Sequence, residues 1–178
     1  MKKSEVICNS GGFIHWSRVH GEGNRIVYFM QGCPKRCEGC RYTQFLEDKI
    51  IYVNIRGMLA RITREFFVKK LDGISISGGE PFYQPAGSAL LAEHAHHVGT
   101  NVWTYTGYTY EELLEMLKED ENIDRLLKAT DVLVDGPFIE ELKDDNLKYR
   151  GSSNQRIIKL VDGRMSEILD YGTWDDES

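Results

Sequence analysis

Three cysteines lie close together in the first quarter of the chain. Cys33, Cys37 and Cys40 fall in the segment CPKRCEGC, with the spacing C-x3-C-x2-C. A closed structural zinc site needs four ligands, and ferredoxin-type clusters normally take four cysteines. Three thiolates on one loop can instead hold three corners of a 4Fe–4S cubane and leave the fourth iron open. An open iron would let an electron pass directly from the cluster to a bound substrate.

A zinc site is an alternative for the same three thiolates. Cys8, His15 or His20 could supply its fourth ligand. We instead interpret Cys8 as a small apolar residue. A disulfide framework would need evenly spread cysteines in an exported chain. The cysteine usage therefore indicates a reduced, cytoplasmic protein with a metal site.

The segment Gly78-Gly79-Glu80-Pro81 is a second group with chemical potential. Two glycines allow the backbone to approach a ligand closely and to adopt positive φ, and Glu80 offers a carboxylate to an ammonium group. Taken alone, these four residues also make a good turn. Beside the cysteine loop, the ligand-binding interpretation is favoured.

Strands and helices alternate around these loops. Residues 6–14 are a candidate for an amino-terminal strand or flap. Strands are predicted at 25–31, 73–77, 131–135 and at Asn101–Tyr105 and Arg156–Val161, because these runs are rich in β-branched or aromatic residues. Apolar residues at helical spacing predict helices over 54–70 and from Gln84 or Pro85 to about Val98. Thr109 and Glu112 match a capping box, which predicts the start of a third helix.

This alternation predicts parallel β-α units with right-handed crossovers. We therefore expect an α/β fold: a partial, open (β/α) barrel with about five parallel core strands and helices on its outer face. Ligands of such sheets bind beyond the carboxyl ends of the strands. The cysteine loop and the glycine loop both follow predicted strands, so both are expected at that end.

Length and composition set the class of protein. The chain has 178 residues, a formal net charge of −6 and 41% hydrophobic residues, which fits one domain over 1–178. Residues 1–24 are expected to be an amino-terminal extension and residues 162–178 an acidic carboxyl-terminal tail. No apolar run approaches the roughly 20 residues that cross a bilayer, so no membrane role is expected. The acidic balance also argues against nucleic-acid binding.

The two loops together resemble the radical S-adenosylmethionine (radical SAM) superfamily. Four further blocks resemble its short activating enzymes of anaerobic ribonucleotide reductase; they are 23–33, 105–108, 131–138 and 150–157. The resemblance spans nearly the whole chain, from about Gly23 to Ile158. It implies the radical SAM type of partial barrel and an oxidoreductase that activates a glycyl radical enzyme.

The resemblance also implies cofactors, partners and a mechanism. Cys33, Cys37 and Cys40 would hold a 4Fe–4S cluster whose open iron chelates S-adenosylmethionine. The methionine ammonium would bind Gly78, Gly79 and Glu80, and the adenine would meet the backbone of Gly39. Reductive cleavage would give a 5′-deoxyadenosyl radical, which takes a hydrogen atom from a glycine of the partner. A flavodoxin or ferredoxin would supply the electron.

Other polar residues are weaker candidates. Thr104 and Thr106 could bond ribose or carboxylate oxygens, although strand propensity explains them equally well. Asp135 either faces the site or stabilises the following turn. Asn154 lies in a matching block and is expected near the cofactor or the partner's glycine loop. Gln155 and Arg156 lie in the same block and are likewise expected near the cofactor or the partner's glycine loop, with no specific role assigned.

Two other functions are compatible with the same motifs. A stand-alone radical SAM enzyme could act on a small molecule or peptide, with Trp16, Arg18 and His20 in contact with the substrate. These three residues are otherwise unexplained by the sequence. A non-catalytic zinc or iron–sulfur binding module is the third possibility, and it would not cleave S-adenosylmethionine.

Overall fold

The computed structural model of the chain describes residues 8–177, with the side chains of 52, 53, 176 and 177 left aside. Residues 6 and 7 of the candidate amino-terminal strand lie outside this range. The strands are β1 (Cys8–Ser17), β2 (Arg25–Met30), β3 (Tyr52–Val53), β4 (Gly73–Gly78), β5 (Asn101–Tyr105), β6 (Val132–Asp135), β7 (Arg156–Val161) and β8 (Arg164–Leu169). The helices are α1 (Ile55–Lys69), α2 (Pro85–His97), α3 (Tyr110–Met116) and α4 (Glu121–Lys128).

Local signals place the helices where the sequence predicts them. Asn54 caps α1 by accepting a hydrogen bond from the backbone N–H of Arg56. The capping box of Thr109 and Glu112 is present at the start of α3. Within residues 8–177, no helix is both long enough and apolar enough to cross a membrane.

The strands form one mixed sheet in the order β3-β1-β2-β4-β5-β6-β7-β8, seven strands plus the two-residue β3. The pairs β2–β4, β4–β5 and β5–β6 are parallel, and the remaining pairs are antiparallel. The α/β class is therefore confirmed. The expectation of about five parallel strands is wrong, because four strands are parallel and β7 runs antiparallel to β6.

The direction of β7 follows from its connection. Residues 136–155 contain one short 3-10 turn, Glu140–Leu142, and no α-helix. A parallel neighbour would need a crossover connection, usually a helix, whereas an antiparallel neighbour does not. The chain therefore returns along β6, with Leu133 opposite Ile158.

Both predicted terminal segments contribute to the sheet. The segment 8–17 of the expected extension forms β1, which pairs with β2. Within the expected acidic tail, Arg164–Leu169 forms β8 and pairs with β7. Residues 164–169 are thus a structural edge of the sheet and not a solvated tail.

The two faces of the sheet carry different clusters. The large core packs the helices against alternate strand residues, among them Tyr28, Ile76, Val102 and Leu133. A smaller cluster of Trp103, Val134 and Ile157 covers part of the opposite face. The loops that follow the parallel strands meet above this second face.

Candidate functional site

A cavity of about 410 Å³ opens at the carboxyl ends of the four parallel strands. The loops that follow β2, β4, β5 and β6 all contribute to its wall. Val19, Arg41 and Asp145 line it and are exposed, so its mouth opens to solvent. This is the place where open α/β sheets bind ligands.

The cysteine loop forms one side of the cavity. Cys33, Cys37 and Cys40 all line it, and all three are half-buried free thiols. The loop starts directly after β2, and the backbone N–H of Gly32 donates to the carbonyl of Phe45 at 2.8 Å. Burial raises the pKa of the Cys33 thiol, while backbone hydrogen bonds from Arg36 and Lys35 oppose that rise. One loop thus presents three thiols to one cavity, a donor set that fits iron–sulfur ligation.

The candidate fourth zinc ligands lie elsewhere or are engaged. Cys8 is fully buried against Gly87, and burial raises the pKa of its thiol to about 12. His15 faces Glu65 at 3.7 Å. The ring nitrogens of His20 lie 2.7 Å from the hydroxyls of Ser17 and Tyr42. Among the described residues, no group of three or more His, Cys, Asp or Glu is arranged to hold a single metal ion.

The glycine loop packs backbone to backbone against the cysteine loop. The backbone N–H of Gly79 donates to the carbonyl of Met30, and the backbone N–H of Glu80 donates to the carbonyl of Gly32, both at 2.8 Å. A Cβ on Gly79 would lie 2.2 Å from the oxygen of Gly32. Gly78 has a φ of +98°, a conformation that favours glycine. The two glycines are therefore required for the close approach of the two loops.

Glu80 is the buried charge of the site. Its Oε1 accepts hydrogen bonds from the N–H of Phe82 at 3.0 Å and the hydroxyl of Thr106 at 2.9 Å. Its Oε2 accepts one from the N–H of Gly107 at 2.8 Å. Burial raises the pKa of this carboxyl to about 7, and the three hydrogen bonds and the Lys35 ammonium oppose the rise. A carboxylate offers about four acceptor positions, and these hydrogen bonds fill three of them.

His20, a candidate zinc ligand or substrate contact, lines the cavity. So do seven of the residues predicted to bind the cluster or S-adenosylmethionine. They are Cys33, Cys37, Cys40, Gly78, Gly79, Glu80 and Thr106. Thr106 follows the last residue of β5 and points its hydroxyl at Glu80. It therefore acts on the cavity through that carboxylate.

Four predicted residues are not in the cavity wall. Gly39 has a φ of +71°, and a Cβ there would contact Phe138 and the carboxylate of Glu140. Thr104 is buried and bonds the hydroxyl of Thr130 at 2.8 Å. It lies on the helix-covered face, because strand residues alternate and its neighbour Trp103 belongs to the opposite cluster.

Asp135 and Asn154 are the other two. Asp135 alternates with Val134 and therefore faces α3, where its Oδ2 accepts from the N–H of Tyr110 at 2.7 Å. It also pairs with the Arg156 guanidinium at 2.5 Å. The Nδ2 of Asn154 donates to the carbonyl of Pro137 at 2.8 Å. Both residues thus hold neighbouring chain segments in place.

Sequence reasoning missed one wall of the cavity. Tyr105, Tyr149, Arg150 and Trp174 line it, next to Gln155, for which the sequence predicted a place near the cofactor or the partner's glycine loop. Tyr149 packs against the rings of Trp103, Tyr171 and Trp174 at centroid distances of 5.0–5.4 Å. Period-two alternation with Trp103 could have identified Tyr105. No local signal links Trp174 to a loop more than 130 residues earlier.

Comparisons with known proteins agree with this geometry. A family model described as a 4Fe-4S single cluster domain matches residues 19–158. The anaerobic ribonucleoside-triphosphate reductase-activating protein of Vibrio cholerae is 38% identical over 160 residues, which cover 80% of this chain and 92% of that protein. The chain belongs to the family of anaerobic ribonucleoside-triphosphate reductase-activating proteins.

Other members of this activating-protein family show similar coverage. The proteins of Salmonella typhi and Escherichia coli are 35% and 33% identical over 158 residues, again with 80% of this chain and 92% of theirs. The segment matched to the 4Fe-4S domain contains the cysteine loop, the glycine loop and the strands β2 and β4–β6. The resemblance read from the motifs is confirmed.

Proposed function

We propose that this activating protein cleaves S-adenosylmethionine reductively at a 4Fe–4S cluster and generates a glycyl radical on an anaerobic ribonucleotide reductase. One observation carries the proposal: the three cysteines and the Gly78-Gly79-Glu80 loop line one cavity at the carboxyl ends of parallel strands. The sheet would then be the partial barrel of the radical SAM type. Because a partial barrel does not close on itself, the cavity would be open on one side.

Each loop has a distinct role in this proposal. Cys33, Cys37 and Cys40 hold the cluster, which when bound supplies the electron that cleaves the sulfonium. The backbone of Gly78 and Gly79 and the remaining acceptor position of Glu80 bind the methionine ammonium. An ammonium beside Glu80 favours its ionised form and lowers the pKa of the carboxyl from about 7. The backbone beside Gly39 would face the adenine.

The remaining predicted residues contact other parts of the protein instead of a ligand. Thr106 orients Glu80, and Asp135 and Asn154 fix the loops after β6 and before β7. Thr104 secures β5 against the helix layer. Thr106 is therefore a positioning residue in this proposal, and the other three residues stabilise the fold.

The partner closes the site. The cavity wall contains apolar and aromatic side chains such as Leu46, Phe138 and Tyr149, but its mouth is open. A radical site must exclude water and hold reacting atoms at near-attack distance. The reductase would cover the mouth and present its glycine there. A cytoplasmic flavodoxin or ferredoxin would supply the electron.

The test uses the anaerobically reconstituted and reduced protein. Its electron paramagnetic resonance (EPR) spectrum is recorded with and without S-adenosylmethionine, and 5′-deoxyadenosine is assayed. We expect the cofactor to shift the spectrum and to be cleaved. Addition of the reductase should then give a protein-based glycyl radical signal. An unshifted spectrum without cleavage would overturn the proposal.

A further inference from the structure

Lys35 lies within the cysteine loop and reaches out of it. Its Nζ lies 3.0 and 3.1 Å from the two carboxylate oxygens of Glu112, and 4.1 Å from the ring centre of Tyr108. The side chain is 22% exposed. An ion pair and a cation–π contact thus tie the middle of the loop to residues after β5.

The acceptor of this ion pair is itself held in place. Glu112 is the acidic member of the capping box, and its Oε2 accepts from the N–H of Thr109 at 2.7 Å. The side chain of Thr109 accepts in turn from the N–H of Glu112 at 3.2 Å. These bonds and the Lys35 ammonium keep the pKa of Glu112 below its ordinary value. Lys35 is therefore joined to a fixed, charged end of α3.

The same stretch of chain also holds the glycine loop. We define residues 106–112 as the anchor segment. Its Thr106 and Gly107 donate to the Glu80 carboxylate, and its Tyr108 and Glu112 contact Lys35. The stem of Lys35 also packs on Gly107, where a Cβ would lie 3.1 Å from Cγ of the lysine. Both functional loops are thus attached to one element.

We infer that Lys35 is a positioning residue that sets the cysteine loop against the glycine loop through the anchor segment, so that cluster and S-adenosylmethionine meet in one geometry. This inference rests on the proposed function. An exposed ion pair contributes little to stability, but a small misplacement of reacting groups is costly. Loss of Lys35 should therefore affect cofactor binding more than folding.

Four single variants separate these effects. Lys35→Met keeps the aliphatic stem and removes the charge, and Lys35→Arg restores the charge. Glu112→Gln keeps a capping box, since glutamine also serves at that position, but removes the ion pair. Lys118→Met is the matched control, because Lys118 lies just after α3 and pairs with Glu115 of that helix, outside the anchor segment.

The measurements are the iron content of each reconstituted protein, the thermal midpoint of its metal-free form, and the S-adenosylmethionine affinity from the EPR shift. We expect equal iron content and midpoints within about 4 °C of the wild type. The affinity should fall about tenfold in Lys35→Met and in Glu112→Gln, and Lys35→Arg should recover most of it. A double variant that combines Lys35→Met with Glu112→Gln should bind S-adenosylmethionine no more weakly than either single variant, because both substitutions remove the same interaction.

Two outcomes decide different questions. A wild-type spectrum that S-adenosylmethionine does not shift overturns the proposed function. A wild-type spectrum that shifts, with Lys35→Met binding the cofactor as tightly as Lys118→Met, overturns the role of Lys35 alone.

Discussion

The carboxylate of Glu80 accepts a hydrogen bond of 2.9 Å from the hydroxyl of Thr106. The two residues lie at the ends of neighbouring parallel strands, 26 residues apart in the chain. Glu80 is fully buried and Thr106 is 5% exposed. This bond and the one from Gly107 fix the direction in which the carboxylate faces the cavity.

Replacement of this hydroxyl should affect both stability and ligand binding. Thr106→Val removes a donor to a buried carboxylate, which should cost about 2 kcal/mol in the free energy of unfolding. Thr104→Val is the control, because it removes a buried hydroxyl that bonds Thr130 and not Glu80. Urea unfolding should show that the free energy of unfolding falls by a similar amount in both variants. Only Thr106→Val should weaken the S-adenosylmethionine-induced EPR shift, and an equal weakening in both would contradict the role of Thr106.

The raised pKa of Glu80 predicts a pH dependence of stability. Between its ordinary pKa of 4.5 and its folded value of about 7, the folded chain holds a proton that the unfolded chain has released. The free energy of unfolding should therefore fall as the pH rises through this window, by on the order of 3 kcal/mol. Glu80→Gln should lack this component. The measurement is urea unfolding of the wild type and of Glu80→Gln, both metal-free, at about pH 5 and about pH 8. If the free energies of unfolding of the two proteins differ by the same amount at both pH values, the prediction is refuted.

Two glycine substitutions should have opposite effects. Gly79→Ala places a Cβ 2.2 Å from the carbonyl oxygen of Gly32, so the glycine and cysteine loops must separate and cluster assembly should fail. In Gly57→Ala the new Cβ meets nothing within 4 Å. Gly57 lies inside α1, so this variant should gain about 0.5–1 kcal/mol. Iron content and thermal unfolding measure the two effects, and normal iron binding by Gly79→Ala would exclude a tight loop contact.

The cysteine assignment is tested by a matched pair of alanine variants. Cys37→Ala should fold but lose most bound iron and all cleavage of S-adenosylmethionine. Cys8→Ala should keep both, since Cys8 is buried away from the cavity, and should lose about 1 kcal/mol of stability. Iron and sulfide analysis after anaerobic reconstitution distinguishes the two. Retention of a full cluster by Cys37→Ala would rule out three-cysteine ligation.

Asp135 should prove structural. Its side chain is 1% exposed and pairs with Arg156, which is 31% exposed. Asp135→Asn should therefore cost about 2 kcal/mol, less than the loss of a fully buried pair. Asp124→Asn, which breaks an exposed pair with Lys128, should cost under about 1 kcal/mol. Cleavage of S-adenosylmethionine per folded molecule should be unchanged in both variants. If Asp135→Asn alone lost this cleavage, Asp135 would have a direct role in the functional site.

The sequence by itself determined the helices and most of the strands. Their signals are local: the apolar period of α1, the capping box of α3, and the β-branched runs that become β5 and β7. It also determined the cysteine spacing and the Gly-Gly-Glu turn, because both are contiguous. The matching family segment at 19–158 contains both of these motifs.

Only the tertiary structure decided the direction of β7, the strand β8 and the far wall of the cavity. Strand direction depends on the connection and on pairing between distant residues, which local periodicity does not encode. The tertiary structure also decided the contacts of two predicted site residues. Asp135 accepts a hydrogen bond from Tyr110 in the helix layer, whereas Thr106 donates one to Glu80. The anchor segment likewise gains its role only when Lys35 and Glu80 converge on it.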